Sequence, residues 1–185
     1  MLPPDIEGRK IFIYQGAVNM GRGLELMIDA LPFINHAIFL IVGDGDIKKQ
    51  LISKVRKAGL DEKVKFLGMV STEELRNITA QASLGVSLEE DLGLNYRYAL
   101  PNKLYDYIQA KIPVLVSDLP DMKALVESYD VGIVLKERTP ANVAKSIQEI
   151  LENKSSMVAQ LQKAADEFVW EEESKKLKNL FNDLK

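Results

Sequence analysis

The strongest constraint on this chain is a rhythm. Six short runs rich in β-branched and aromatic residues cover positions 11–14, 38–42, 64–67, 84–88, 114–117 and 132–135. Each ends at a turn residue and leads into a segment whose apolar positions fall three and four apart, the spacing of one helical face. Strand and helix therefore alternate. Most of the runs are apolar at consecutive positions, so both faces of each strand need cover, which a parallel sheet between two helical layers provides. The expected fold class is α/β, with a parallel sheet of about six strands and helices on both faces. After the last run, charge-rich helical sequence extends from about Thr139 to Lys185 without a strand, giving extra C-terminal helices that wrap or cap the sheet.

A chain of 185 residues with 46% hydrophobic composition is long enough for one ordinary core. Residues 1–9 read as a linker, since no long apolar stretch of the secretory kind follows their charges. Residues 10–185 then form a single domain. Its longest apolar run, 37–42, falls far short of the roughly 20 residues that span a bilayer, so the domain reads as soluble. A net charge of -3 and a pI near 5.4 argue against a nucleic-acid partner, which would require a concentrated basic face. The absence of cysteine excludes disulfide and thiolate chemistry, and the single histidine, His36, excludes a multi-histidine metal cage.

Local signals place the helix starts. Ser71 followed by Glu74 has the form of a capping box, Thr139 precedes Pro140, and Pro101 and Pro120 are also suited to a first helical turn. His36 reads as a loop residue before the second strand, and Trp170 as a packing anchor on the terminal helix.

Ligands of open α/β sheets bind beyond the carboxyl ends of the strands, so the informative residues follow each run. After the first comes Gly16-Ala17-Val18-Asn19-Met20-Gly21-Arg22-Gly23. Glycines there let backbone N–H groups approach an anion, a helix N-terminus adds a favourable dipole, and Arg22 supplies a bidentate phosphate contact. A flexible turn with a solvated arginine is the competing reading. The segment fails as a P-loop, because Arg22 and Gly23 stand where lysine and a hydroxyl residue belong; Gly43-Asp44-Gly45 fails as a dinucleotide fingerprint, because Lys48 replaces the third glycine. Three adjacent acids, Glu89, Glu90 and Asp91, open the loop after the fourth run and on their own read as a solvated loop. Lys103 falls in the first turn of the next helix, where it opposes the helix dipole; a local anion explains that, as does plain surface exposure. Asp106, three residues on, shares its helix face, which also permits a surface salt bridge between the two.

Taken together these segments, from Lys10 to Leu151, resemble the C-terminal domain of the group 1 glycosyltransferases, a retaining family with the GT-B architecture of two Rossmann-like domains. YQGAVNMGRG resembles the family's glycine turn, which places Gly16 at the turn and Arg22 against the donor diphosphate. IVGDG, containing Gly43, looks like its second strand and turn, and VKFLGMV looks like the third, whose end at Gly68 and Met69 flanks the nucleobase. SLEEDLGL resembles the loop bearing the first of two paired glutamates, with Glu90 at the matching, catalytic position; Asp106 falls where the second glutamate bonds the ribose hydroxyls. Several positions depart from the family pattern. Ala17 replaces a second phosphate-binding arginine, so the diphosphate leans on Lys103 or backbone groups. Glu90 and Asp106 lie sixteen positions apart rather than the family's eight, with Tyr98 at the usual spot, implying an insertion across 95–102. Lys111 replaces a common glycine.

The resemblance implies binding of a nucleoside-diphosphate sugar and its transfer to an acceptor with retention, without metal or other cofactor. It further implies an acceptor-binding N-terminal domain before residue 1, a cytoplasmic setting, and scope for peripheral membrane association of the full enzyme. Two other classes fit the bare α/β pattern: a non-catalytic nucleotide-binding module, and a sugar-nucleotide epimerase of similar fold.

Overall fold

Alternation within the strands divides the core into two layers. In the computed structural model, which describes residues 8–183, β1 (Lys10–Gln15) sends Phe12 and Tyr14 to one face of the sheet and Ile11 and Ile13 to the other. Most of the 1–9 linker therefore lies outside the described residues. The remaining strands are β2 (Ala37–Val42), β3 (Val64–Gly68), β4 (Leu84–Ser87), β5 (Val114–Ser117) and β6 (Gly132–Leu135). Each agrees with its expected run to within one residue at either end. All pairings are parallel, in the order β3-β2-β1-β4-β5-β6. Every residue of β2 is buried, as a strand covered on both faces requires.

Three helices pack on the Phe12 face: α1 (Leu24–Ala30), α2 (Lys48–Lys57) and α7 (Pro140–Asn153). On the Ile11 face lie α3 (Thr72–Thr79), α5 (Asn102–Gln109), α6 (Pro120–Tyr129) and α8 (Val158–Glu167). Ser71 caps α3 by accepting from the Glu74 backbone N–H at 3.2 Å, and Thr139 caps α7 in the same way. Pro120 opens α6, whereas Pro101 sits one position earlier than expected, as the extended residue before α5. The stretch 95–102, where an insertion is expected, begins within a single helical turn, α4 (Leu94–Arg97), and runs to the start of α5.

The C-terminal sequence does cover the sheet in part. Leu161 and Ala164 of α8 join the Ile11-face core, and the Gln109 side chain donates to the carbonyls of Ala165 and Phe168. The last helix, α9 (Trp170–Asp183), departs from expectation. Trp170 is 71% exposed and anchors nothing, because α9 turns its apolar positions, Leu177, Leu180 and Phe181 among them, to solvent. His36 occupies a turn with positive φ, and its carbonyl accepts the Lys10 N–H at the start of β1. Lys111 also has positive φ, which accounts for the glycine common there in the family it resembles.

Candidate functional site

The chain reverses direction across the sheet between β1 and β4, so the loops after these two strands diverge and leave a crevice at their carboxyl ends. The strands themselves part early. They pair only at Phe12 with Leu84 and at Ile13 with Gly85. Beyond that point the buried Tyr107 hydroxyl fills the split, accepting the Gln15 N–H at 3.2 Å and lying 3.2 and 3.3 Å from the Ile13 and Val86 carbonyls. The ring lies against Gly85, where any Cβ would overlap it. A tyrosine on α5 thus sets the opening of the crevice and fixes the helix that carries Lys103 and Asp106.

Glycines allow the surrounding loops to close on one another. Gly43 has φ near 136°, and a Cβ there would overlap the Gly16 carbonyl. Gly23 caps α1 in the left-handed region and meets the Leu88 carbonyl, while the Glu90 N–H donates to the Gly21 carbonyl at 2.8 Å. The loop after β1 is therefore held on one side by the loop after β2 and on the other by the loop after β4.

The result is a hollow of about 330 Å³ whose lining includes Gly16, Arg22, Lys103 and Asp106, four residues that the sequence nominated from two separate segments. A neighbouring cleft of about 540 Å³ between α3 and α5 shares Gln15, Leu75 and Asp106 with it. Of the other nominated residues, Gly43 backs the hollow from behind Gly16. Gly68 ends β3 with positive φ and accepts the Gly43 N–H, and Met69 beside it is 82% exposed. Glu90 turns away from Lys103 and lies 3.8 Å from Arg138.

The anion that Lys103 needs is internal. Lys103 is only 9% exposed, and its ammonium donates to Glu89 Oε1 at 2.5 Å while lying 4.6 Å from the centre of the Tyr14 ring. Burial lowers the Lys103 pKa, and the neighbouring Glu89 opposes that shift. Arg22 is 4.0 Å from the same carboxylate oxygen and stacks over Tyr96, its centre 5.4 Å from the ring's. The Lys103–Asp106 surface pair is not formed. Asp106 Oδ2 instead accepts from Gln15 Nε2 at 2.7 Å, and Gln15 Oε1 accepts from Thr79 at 2.8 Å. Desolvation raises the Asp106 pKa above the usual carboxylate value, with the Gln15 hydrogen bond and the Arg76 charge acting against it.

Three contributors escaped the sequence reading. Gln15 was detectable as a polar residue closing an apolar strand. Glu89 was hidden among three acids. Arg138 lies in a charged segment after β6 with nothing to set it apart, yet its guanidinium donates to the Leu88 and Glu89 carbonyls at 3.0 and 3.1 Å and to Ser117 Oγ at 2.7 Å. Ser117 Oγ in turn donates to the Glu89 carbonyl at 2.6 Å. Among the described residues no three His, Cys, Asp or Glu side chains are grouped to hold a metal ion, and no helix is long and apolar enough to cross a membrane.

Two basic side chains and a carboxylate at the switch point of a parallel sheet suit an anion joined to a hydroxylated group. The sequence profile of the family described as glycosyl transferases group 1 matches residues 3–168. The chain belongs to that family. An uncharacterized glycosyltransferase of Methanocaldococcus jannaschii is 25% identical over 150 residues, covering 78% of this chain and 36% of that protein. The chitobiosyldiphosphodolichol beta-mannosyltransferase of Candida albicans is 25% identical over 156 residues, covering 79% of this chain and 33% of its own length. This group 1 chain thus spans about a third of the length of these relatives. Among solved structures, Anabaena HepE in complex with UDP superposes with a TM-score of 0.82 at 16% identity, over 99% of this chain and 54% of that one. At that identity the likeness shows the fold alone, a Rossmann-like α/β domain.

Proposed function

We propose that this chain binds the nucleoside diphosphate of a sugar donor and serves as the donor half of a retaining glycosyltransferase. The observation that carries the reading is the single hollow in which Arg22 and Lys103 lie beside Asp106. A departing diphosphate gains negative charge as the glycosidic bond breaks, so a site for it must offer fixed positive charge and oriented donors. Arg22 and Lys103 supply the charge. Asp106, with Oδ2 held by Gln15, offers Oδ1 to the ribose hydroxyls, and the exposed Met69 beside Gly68 offers a surface for the base. In this reading Glu90 faces the sugar once donor and acceptor are bound, leaving its distant contact with Arg138. HepE, a structural neighbour, was crystallised with UDP, which supports a nucleotide ligand here. The acceptor is held by a separate N-terminal domain, the enzyme works in the cytoplasm, and any membrane contact is peripheral.

Calorimetry of the chain with UDP, GDP and ADP tests this reading. At least one should bind, and with nearly equal affinity before and after chelation, because Arg22 and Lys103 do the work of a metal ion. A tenfold loss on chelation, about 1.4 kcal/mol, would point to a metal-dependent site instead. No binding of any of the three would overturn the donor reading itself.

A further inference from the structure

Lys103 is the more deeply buried of the two cations lining the hollow, and its position depends on one partner. The Glu89 carboxylate is fully buried, with Oε2 accepting from Ser87 Oγ at 2.7 Å and Oε1 from Lys103. Its backbone carbonyl is fixed from the far side by Ser117 and Arg138. The groups facing Lys103 are Glu89 from the loop after β4, Arg22 from the loop after β1, Tyr14 from β1, and Asp106 from the next turn of α5. Asp106 is engaged by Gln15, and Arg22 repels, so Glu89 is the anion that keeps the ammonium in place. An ammonium has three N–H donors, of which Glu89 takes one, and Lys103 also lines the hollow.

We propose that Glu89, and not only the residues that touch the ligand, governs diphosphate binding: it is a positioning residue that holds the Lys103 ammonium charged and fixed at the wall of the hollow. The inference rests on the nucleotide-binding reading. A buried cation stripped of its partner is strongly destabilised and sheds its proton rather than remain uncompensated. Burial and Arg22 already weaken the hold of Lys103 on its proton, and Glu89 is what opposes them. A diphosphate that meets a neutral amine there loses one of its two side-chain cations.

The test is UDP affinity measured by calorimetry from pH 7 to 9, a range above the phosphate's second ionisation near about pH 6. The wild-type profile should be flat. Glu89→Gln keeps the side chain's size and its contact with Ser87, so its affinity should fall at least about tenfold across the range as Lys103 loses its proton. Adding Lys103→Arg should restore a flat profile, since a guanidinium stays charged; adding Lys103→Met should leave binding weak at every pH. A flat profile for Glu89→Gln, or a fall that persists in the Lys103→Met double variant, would overturn the proposal. Should Glu89→Gln not fold, Glu89→Asp carries the test. It keeps the charge but withdraws it from Lys103, so binding should weaken without gaining a pH dependence, and wild-type affinity in that variant would overturn the positioning role. Failure of the wild-type chain to bind any nucleoside diphosphate refutes the donor reading, a result distinct from these.

Discussion

Asp106 and Arg22 bring different chemistry to one hollow, and substitution should separate them. Gln15 holds Asp106 Oδ2, which leaves Oδ1 for a ligand hydroxyl. A hydrogen bond to a charged group contributes roughly 1.5 to 3 kcal/mol, so Asp106→Ala should weaken a ribonucleoside diphosphate by about ten- to a hundredfold and its deoxy counterpart much less. Arg22→Ala should instead penalise the diphosphate relative to the nucleoside, and wild-type affinity should decline with added salt. If Asp106→Ala binds ribo- and deoxynucleotides as the parent does, the ribose is held elsewhere. At this scale the sequence was only partly readable. The first-turn position of Lys103 signalled a nearby anion on electrostatic grounds, but not that the protein supplies it. Glu89, Glu90 and Asp91 look alike in sequence, whereas the fold buries the first against Lys103, turns the second to Arg138 and sets the third 3.4 Å from Arg97. The distinction depends on which way consecutive side chains point in an irregular loop, and no periodicity encodes that.

The parting of β1 and β4 depends on one hydroxyl carried by α5. Tyr107→Phe keeps the packing against Gly85 but removes the acceptor of the Gln15 N–H and the one O–H that the Ile13 and Val86 carbonyls share in the buried sheet. An unsatisfied buried group costs about 1 to 3 kcal/mol, so denaturant unfolding should show a loss of about 2 to 3 kcal/mol. A loss below about 0.5 kcal/mol would mean that the hydroxyl is dispensable and that the strands part for other reasons. Elements such as these were largely legible because buried parallel strands read as unbroken apolar runs, and Ser71 and Thr139 announce helix starts through local hydrogen bonds. The wedge itself was not. Tyr107 sits at an ordinary apolar position of an amphipathic helix, and its role emerges only when α5 is laid across the split. Trp170 misled for a related reason: a helical stripe shows which residues share a face, but not whether anything packs against it.

At the scale of the whole molecule, the hollow opens at the carboxyl ends of the central strands, and the relatives are about three times as long as the segment they share with this chain. Transfer requires an acceptor hydroxyl held against the sugar in a reactive pose. Holding two reactants in place can account for about 7 to 11 kcal/mol of a barrier, and a domain that grips only the donor forfeits that share. The chain should therefore fold cooperatively, as its two continuous apolar layers dictate, and bind a nucleoside diphosphate while releasing no more free nucleotide from a sugar donor than buffer alone. Adding a separately produced acceptor-binding domain should restore turnover in a manner that saturates with its concentration. A coupled assay for released nucleoside diphosphate, run with the chain alone and then with the added domain, measures both quantities. Sustained turnover by the chain alone with a defined acceptor would show that the acceptor site lies within these 185 residues, and would direct attention to the exposed side chains around the crevice, among them Met20, Leu92 and Leu94.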